Sequence, residues 1–138
     1  MIIDSSVVLN WLIRGGEFEK ECLKLREAFE RGSISIKVPE TVVYDVCSRI
    51  VESDLPVDVA SKLAHLTYEY LRFVSVELDG SMLPEIVRLC RSLNLDLAVA
   101  SCVVLSNRLG EIYVTADKEL QKLLSDSGFK VSHVSDIF

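Results

Sequence analysis

Apolar positions along this chain switch repeatedly between a short strand-like pattern and a helical one. The opening MIIDSSVVLN sets two isoleucines directly before Asp4, so residues 1–4 are predicted to form a short buried strand ending on a carboxylate. Ser5 or Ser6 can cap a short helix running through Leu12, which Gly15-Gly16 breaks. In GEFEKECLKLREAFERG, Phe18, Cys22, Leu25 and Phe29 recur at helical spacing until Gly32. SISIKV, residues 33–38, alternates as a strand does, and PETVVYDVCSRIVES follows as an amphipathic helix with Pro39 at or near its first turn. A third such helix, PVDVASKLAHLTYEYLRF, has Pro56 near its start, and FVSVEL, residues 73–78, alternates again. DGSMLPEIVRLCRSL sets Leu83, Ile86, Val87, Cys90 and Leu93 on one helical face. LDLAVASCVVLSNRLG is apolar nearly all round, the mark of a buried helix, and Gly110 closes it. EIYVT then reads as a strand, DKELQKLLSDSG as a helix and FKVSHV as a last strand.

Strands and helices alternate with no hairpin signal between strands. That predicts an α/β chain: one three-layer α/β/α domain over residues 1–138, with a mostly parallel sheet of about five strands covered on both faces by helices. The length suits one domain with a real core, and no internal repeat, low-complexity segment or linker interrupts it.

Composition changes the picture in three ways. Hydrophobic residues make up 49% of the chain and mean hydropathy is +0.30, which hints at apolar surface covered by a partner. No apolar run approaches the roughly 20 residues that span a bilayer, and the N-terminus has no basic region or small-residue cleavage site, so a cytoplasmic location is expected. The four cysteines form no CxxC pair and sit among apolar residues, as buried reduced thiols do; the two histidines, His65 and His133, lie far apart, form no metal-ligand pair and are expected at the surface or its boundary. The net charge of −6 makes a poor nucleic-acid binder by charge alone, so a phosphate substrate would be held by a few local cations, or by metal ions that cancel carboxylates.

Open α/β sheets place their sites outside the carboxyl ends of the strands. Asp4 follows the first strand and Asp117 follows IYVT, while Asp96 opens the buried helix. Asp45 lies about two turns into the helix after SISIKV, on a face with Thr41, Ser48, Arg49 and Glu52. Singly, Asp4, Asp96 and Asp117 read as helix caps and Asp45 as part of a solvated face. Together, parallel topology points Asp4 and Asp117 toward one edge, and Asp45 can be aimed back over it. Carboxylates so placed repel one another, and a divalent cation relieves that repulsion. All-oxygen ligation without His or Cys suits a hard ion, Mg²⁺ or Mn²⁺, one or two in number, able to activate water and clamp a phosphoryl group. No Walker A loop, GxSxG elbow or GxGxxG turn offers another chemistry.

Four segments in order carry a resemblance to the PIN domain, a family of metal-dependent ribonucleases: MIIDSSVVLNWL, VPETVVYDV, LNLDLAVASCVVLSNRLG and IYVTADKEL. The resemblance runs along essentially the whole chain. By position it implies Asp4, Asp45, Asp96 and Asp117 as catalytic metal-binding acids, with Thr115 and, more weakly, Ser6 orienting water or a carboxylate. The family usually carries Glu at the second position; Asp45 is one methylene shorter, and Glu40 is the other acid of that segment, although the pattern VVYDV favours Asp45. Lys118, Arg14 and Arg49 are the cations that would meet RNA. Small stand-alone members resemble VapC-like toxins of toxin–antitoxin pairs. That implies an endoribonuclease acting with a metal-activated water, commonly a homodimer, blocked by a protein antitoxin for which residues 16–72 would supply the groove. Two other readings remain: a non-catalytic PIN-fold module that binds RNA or protein, and a metal phosphohydrolase acting on small phosphate esters.

Overall fold

The computed structural model describes residues 1–138. The chain is α/β, with seven α-helices and short parallel strands. Buried Ile2 and Ile3 form β1 (Ile2–Ile3), and Asp4 caps α1 (Ser5–Leu12). Gly15 takes a left-handed turn, φ +89°, into α2 (Glu19–Glu30). α2 buries Cys22, Leu25 and Ala28, and the Trp11 indole N–H donates to the Cys22 carbonyl at 2.8 Å, tying it to α1. β2 (Val38–Pro39) leads directly into α3 (Glu40–Val51), and α4 (Val57–Leu71) follows, packed on α3. β3 (Ser75–Val76) and a 3₁₀ turn at Gly80–Met82 precede α5 (Leu83–Leu93), which Asn94 closes in the left-handed conformation. α6 (Leu97–Leu109), β4 (Tyr113–Thr115), α7 (Lys118–Asp126) and β5 (Val131–His133) complete the order, with a last 3₁₀ turn at Val134–Asp136.

Every pairing is parallel. β4 lies between β1 and β5, in the register Ile2↔Tyr113 and Thr115↔His133, and β2 pairs with β3. A single bridge at Ile2↔Lys37 links the two pieces: the Lys37 N–H donates to the Met1 carbonyl at 2.9 Å and the Ile3 N–H to the Lys37 carbonyl at 3.2 Å. The expected buried helix is α6, where Ala98 and every residue from Ala100 to Ser106 are buried and which packs across β1, β2 and β4.

The strands are shorter than their alternation suggests. Of residues 33–38 only Val38 belongs to a strand. Ser33 closes α2 instead, its N–H donating to the Ala28 carbonyl at 2.9 Å, while Ile36 is buried from the loop. The histidine expectation is corrected at one position: His133 is buried at the end of β5, its Nδ1 accepting the Ser135 N–H at 3.2 Å and its ring edge-to-face with Phe18. All four cysteines are free, with Cys22 and Cys102 buried and Cys47 and Cys90 half-buried. No helix is long and apolar enough to cross a membrane.

Candidate functional site

Adjacent parallel strands end on the same edge, so β1 and β4 deliver Asp4 and the Thr115-Ala116-Asp117 turn side by side. α3 and α6 bring the other two acids. A cleft of about 180 Å³ is lined by Asp4, Asp45, Asp96 and Asp117, together with Ser5, Ser6 and Arg49. The structure thus gathers all four predicted acids from positions far apart in sequence. It also separates Asp45 from Glu40. Asp45 lines this cleft, whereas Glu40 lines another with Tyr44, Tyr68 and Arg72 and accepts the Leu78 N–H at 3.4 Å.

Three of the acids are helix caps as well. Asp96 Oδ1 accepts the Val99 N–H at 2.8 Å and Asp117 Oδ1 accepts the Leu120 N–H at 3.0 Å. Both residues are exposed, and the protein's hydrogen bonds to them fall on Oδ1 alone, leaving Oδ2 free at the cleft. Asp4 differs: it is only 3% exposed and both its oxygens are engaged. Oδ1 accepts from the Ser6 N–H at 3.1 Å, the Ser6 hydroxyl at 2.5 Å and the Val7 N–H at 3.4 Å, while Oδ2 accepts the Tyr113 hydroxyl at 2.7 Å. Burial drives the Asp4 carboxyl above the ordinary carboxylate range, against the opposing hydrogen bonds from Ser6, Thr115 and Tyr113.

Ser6 is the hub that joins the two strand ends. Besides donating to Asp4, its Oγ accepts the Ala116 N–H at 2.9 Å and lies 3.2 Å from Thr115 Oγ1, which accepts the Asp117 N–H at 3.2 Å. Arg49 is the one predicted cation on the cleft, its Nε 3.9 Å from Asp45 Oδ1. Arg14 instead pairs with Glu19 at 2.8 Å in an exposed turn, and the Lys118 ammonium sits 5.0 Å over the Phe18 ring; neither lines the cleft.

These residues fit a hydrated divalent cation. The donors are all carboxylate and hydroxyl oxygens, which suit a hard ion, and one arginine leaves most of their charge uncompensated. No three of the chain's acidic, histidine or cysteine side chains stand close enough to enclose an ion. Mg²⁺ does not require such a cage, since it keeps several waters and is commonly held through one or two carboxylates.

Two residues escaped the sequence reading. Ser5 lines the cleft with its hydroxyl buried and unpartnered. Tyr113 carries the hydroxyl on Asp4, and its signal was strand periodicity: it lies two residues before Thr115, on the same face of β4.

No protein-family model matches the chain, and no curated protein matches it in sequence. Among solved structures it is similar to PAE2754 from Pyrobaculum aerophilum, with a TM-score of 0.61 and 16% sequence identity over 97% of this chain and 90% of that one. At that identity the likeness is one of fold, and it extends over nearly the whole length of both chains.

Proposed function

We propose that this chain is a Mg²⁺- or Mn²⁺-dependent endoribonuclease of the PIN type, the VapC-like toxin of a toxin–antitoxin pair, working in the cytoplasm. The observation that carries the reading is the convergence of Asp4, Asp45, Asp96 and Asp117 on one cleft at the carboxyl ends of adjacent parallel strands. With the Ile2↔Lys37 bridge counted as a pairing, we read the strands as one five-stranded layer in the order β3-β2-β1-β4-β5, inside a three-layer PIN-like fold.

In this reading Asp96 and Asp117 would hold one or two ions, with Asp45 adding charge from α3 and Asp4 forming the floor of the cleft. When bound, the ion supplies charge neutralisation and Lewis acidity for hydrolysis of a phosphodiester. Ser6 and Thr115 keep the two strand ends at a fixed separation, so the acids need not reorganise when substrate arrives. Arg49 meets the backbone phosphate beside Asp45. One cation on an acidic protein gives weak non-specific affinity, which favours a restricted RNA substrate recognised by shape and unpaired bases. For partners we propose a second copy of the chain and a protein antitoxin. The antitoxin lies in the apolar groove of about 200 Å³ lined by Val8, Trp11, Leu63, Leu66 and Tyr70, mostly within the stretch 16–72.

Cleavage of labelled single-stranded RNA in Mg²⁺, Mn²⁺ or EDTA tests the reading. Cleavage is expected with either ion, abolished by EDTA, and reduced about a hundredfold or more in Asp4→Asn/Asp96→Asn. No cleavage of several RNAs by folded wild type would leave a non-catalytic binding module. Turnover of a nucleotide monophosphate in place of RNA would identify a small-ester phosphohydrolase.

A further inference from the structure

Tyr113 is fully buried in the middle of β4, among Ile2, Val114 and the helix α6. A phenylalanine would fill that place without a hydroxyl to desolvate. The hydroxyl donates to Asp4 Oδ2 at 2.7 Å, a well-formed O–H···O hydrogen bond. Cys102 on α6 lies beside this pair, its thiol donating to the Ile3 carbonyl at 3.8 Å. The Tyr113 bond on Oδ2 is buried, as is the Val7 bond on Oδ1, and the two Ser6 bonds on Oδ1 are part-buried.

We propose that Tyr113 is the positioning residue of the acidic site: by donating to Asp4 Oδ2 from the core, it fixes the orientation of the Asp4 carboxylate at the floor of the cleft that would take a divalent cation. Tyr113 touches neither the ion nor the substrate and acts only through Asp4. It is placed for that role because β4 is register-paired with β1, so its side chain reaches across to the residue that ends β1. The inference rests on the metal-site reading above, and its test separates the two.

The test is a double-mutant cycle on Mn²⁺ affinity, read by the electron paramagnetic resonance signal of free Mn²⁺ in titrations of Tyr113→Phe, Asp4→Asn and the pair. Outer partners of metal-binding carboxylates typically contribute about 10- to 100-fold in affinity. Tyr113→Phe is expected to weaken Mn²⁺ binding about tenfold when Asp4 is present and by less than about twofold when Asp4 is Asn. Equal losses in both backgrounds, or no loss in either, would overturn the positioning role while leaving the metal site intact. Wild type that binds no Mn²⁺ would overturn both inferences. Wild type that binds Mn²⁺ with the expected coupling, yet cleaves no RNA, would uphold the role of Tyr113 and remove the ribonuclease reading alone. Should Tyr113→Phe fail to fold by circular dichroism, Tyr113→Met fills similar volume without a hydroxyl and completes the same cycle.

Discussion

Asp117 shows how one side chain serves two purposes. Its Oδ1 closes the first turn of α7 and its exposed carboxylate borders the cleft. The purposes separate by substitution. Asp117→Ala removes cap and charge together, and lost caps cost about 1 kcal/mol, a fall of about 4 °C in Tm for a domain of this size. Asp117→Ser restores a capping oxygen without a carboxylate, so it should recover most of the lost Tm in thermal melts. In the ribonuclease reading, divalent-dependent cleavage stays lost in both variants. Recovery of cleavage by the serine along with Tm would reduce Asp117 to a cap. Asp4 does not allow this separation, because its buried carboxylate holds α1, Ser6 and Tyr113 at once.

Elements were more legible than their ends. α6 could be read from an apolar sequence because the whole helix is inside, and helical spacing marked the buried faces of α2 and α3 because one face of each meets the core. Strand length was not legible, since alternation reports which residues are covered rather than which are paired: Ile36 is buried without belonging to a strand. Asp4 and Asp117 were legible because parallel topology fixes where strand ends go, whereas Asp45 within α3 and Asp96 at the start of α6 are not placed by that rule. Tyr113 was not legible, because its bond to Asp4 spans 109 residues of sequence and depends on register. Nearness in sequence misled for Arg14 and Lys118, whose side chains follow Glu19 and Phe18 rather than the cleft. The energetics of α6 should follow the same division of buried from exposed. Leu105 is 2% exposed and Leu109 46%. Leu105→Ala should cost about 2–5 kcal/mol through the cavity it leaves, and Leu109→Ala within about 0.5 kcal/mol. Urea midpoints measure both, and similar shifts would mean that α6 does not sit in the core as described.

At the scale of the molecule, the two edges of the sheet handle charge in opposite ways. The carboxyl edge gathers four carboxylates against Arg49. At the amino edge a single carboxylate, Glu111 just before β4, accepts from the Lys37 ammonium through Oε1 and from the Met1 ammonium through Oε2 at 3.0 Å. That cluster ties together the entries to β1, β2 and β4. The Lys37 hydrogen bond is the main reason the Glu111 carboxyl lies below its ordinary value of 4.5. A carboxylate more acidic in the folded chain than in the unfolded one contributes stability above the unfolded value and loses it as pH falls through the folded one. Glu111→Gln should therefore melt below wild type at pH 7, with a gap that holds steady down to about pH 4.5 and closes below it. The side chains are partly exposed, 38% for Lys37 and 25% for Glu111, so 1 M NaCl should narrow the gap at pH 7 as well. Paired thermal melts from pH 7 to pH 3 read the effect. A gap unchanged across that range would mean that Glu111 holds the strand entries by shape and neutral hydrogen bonding, and that its charge contributes nothing.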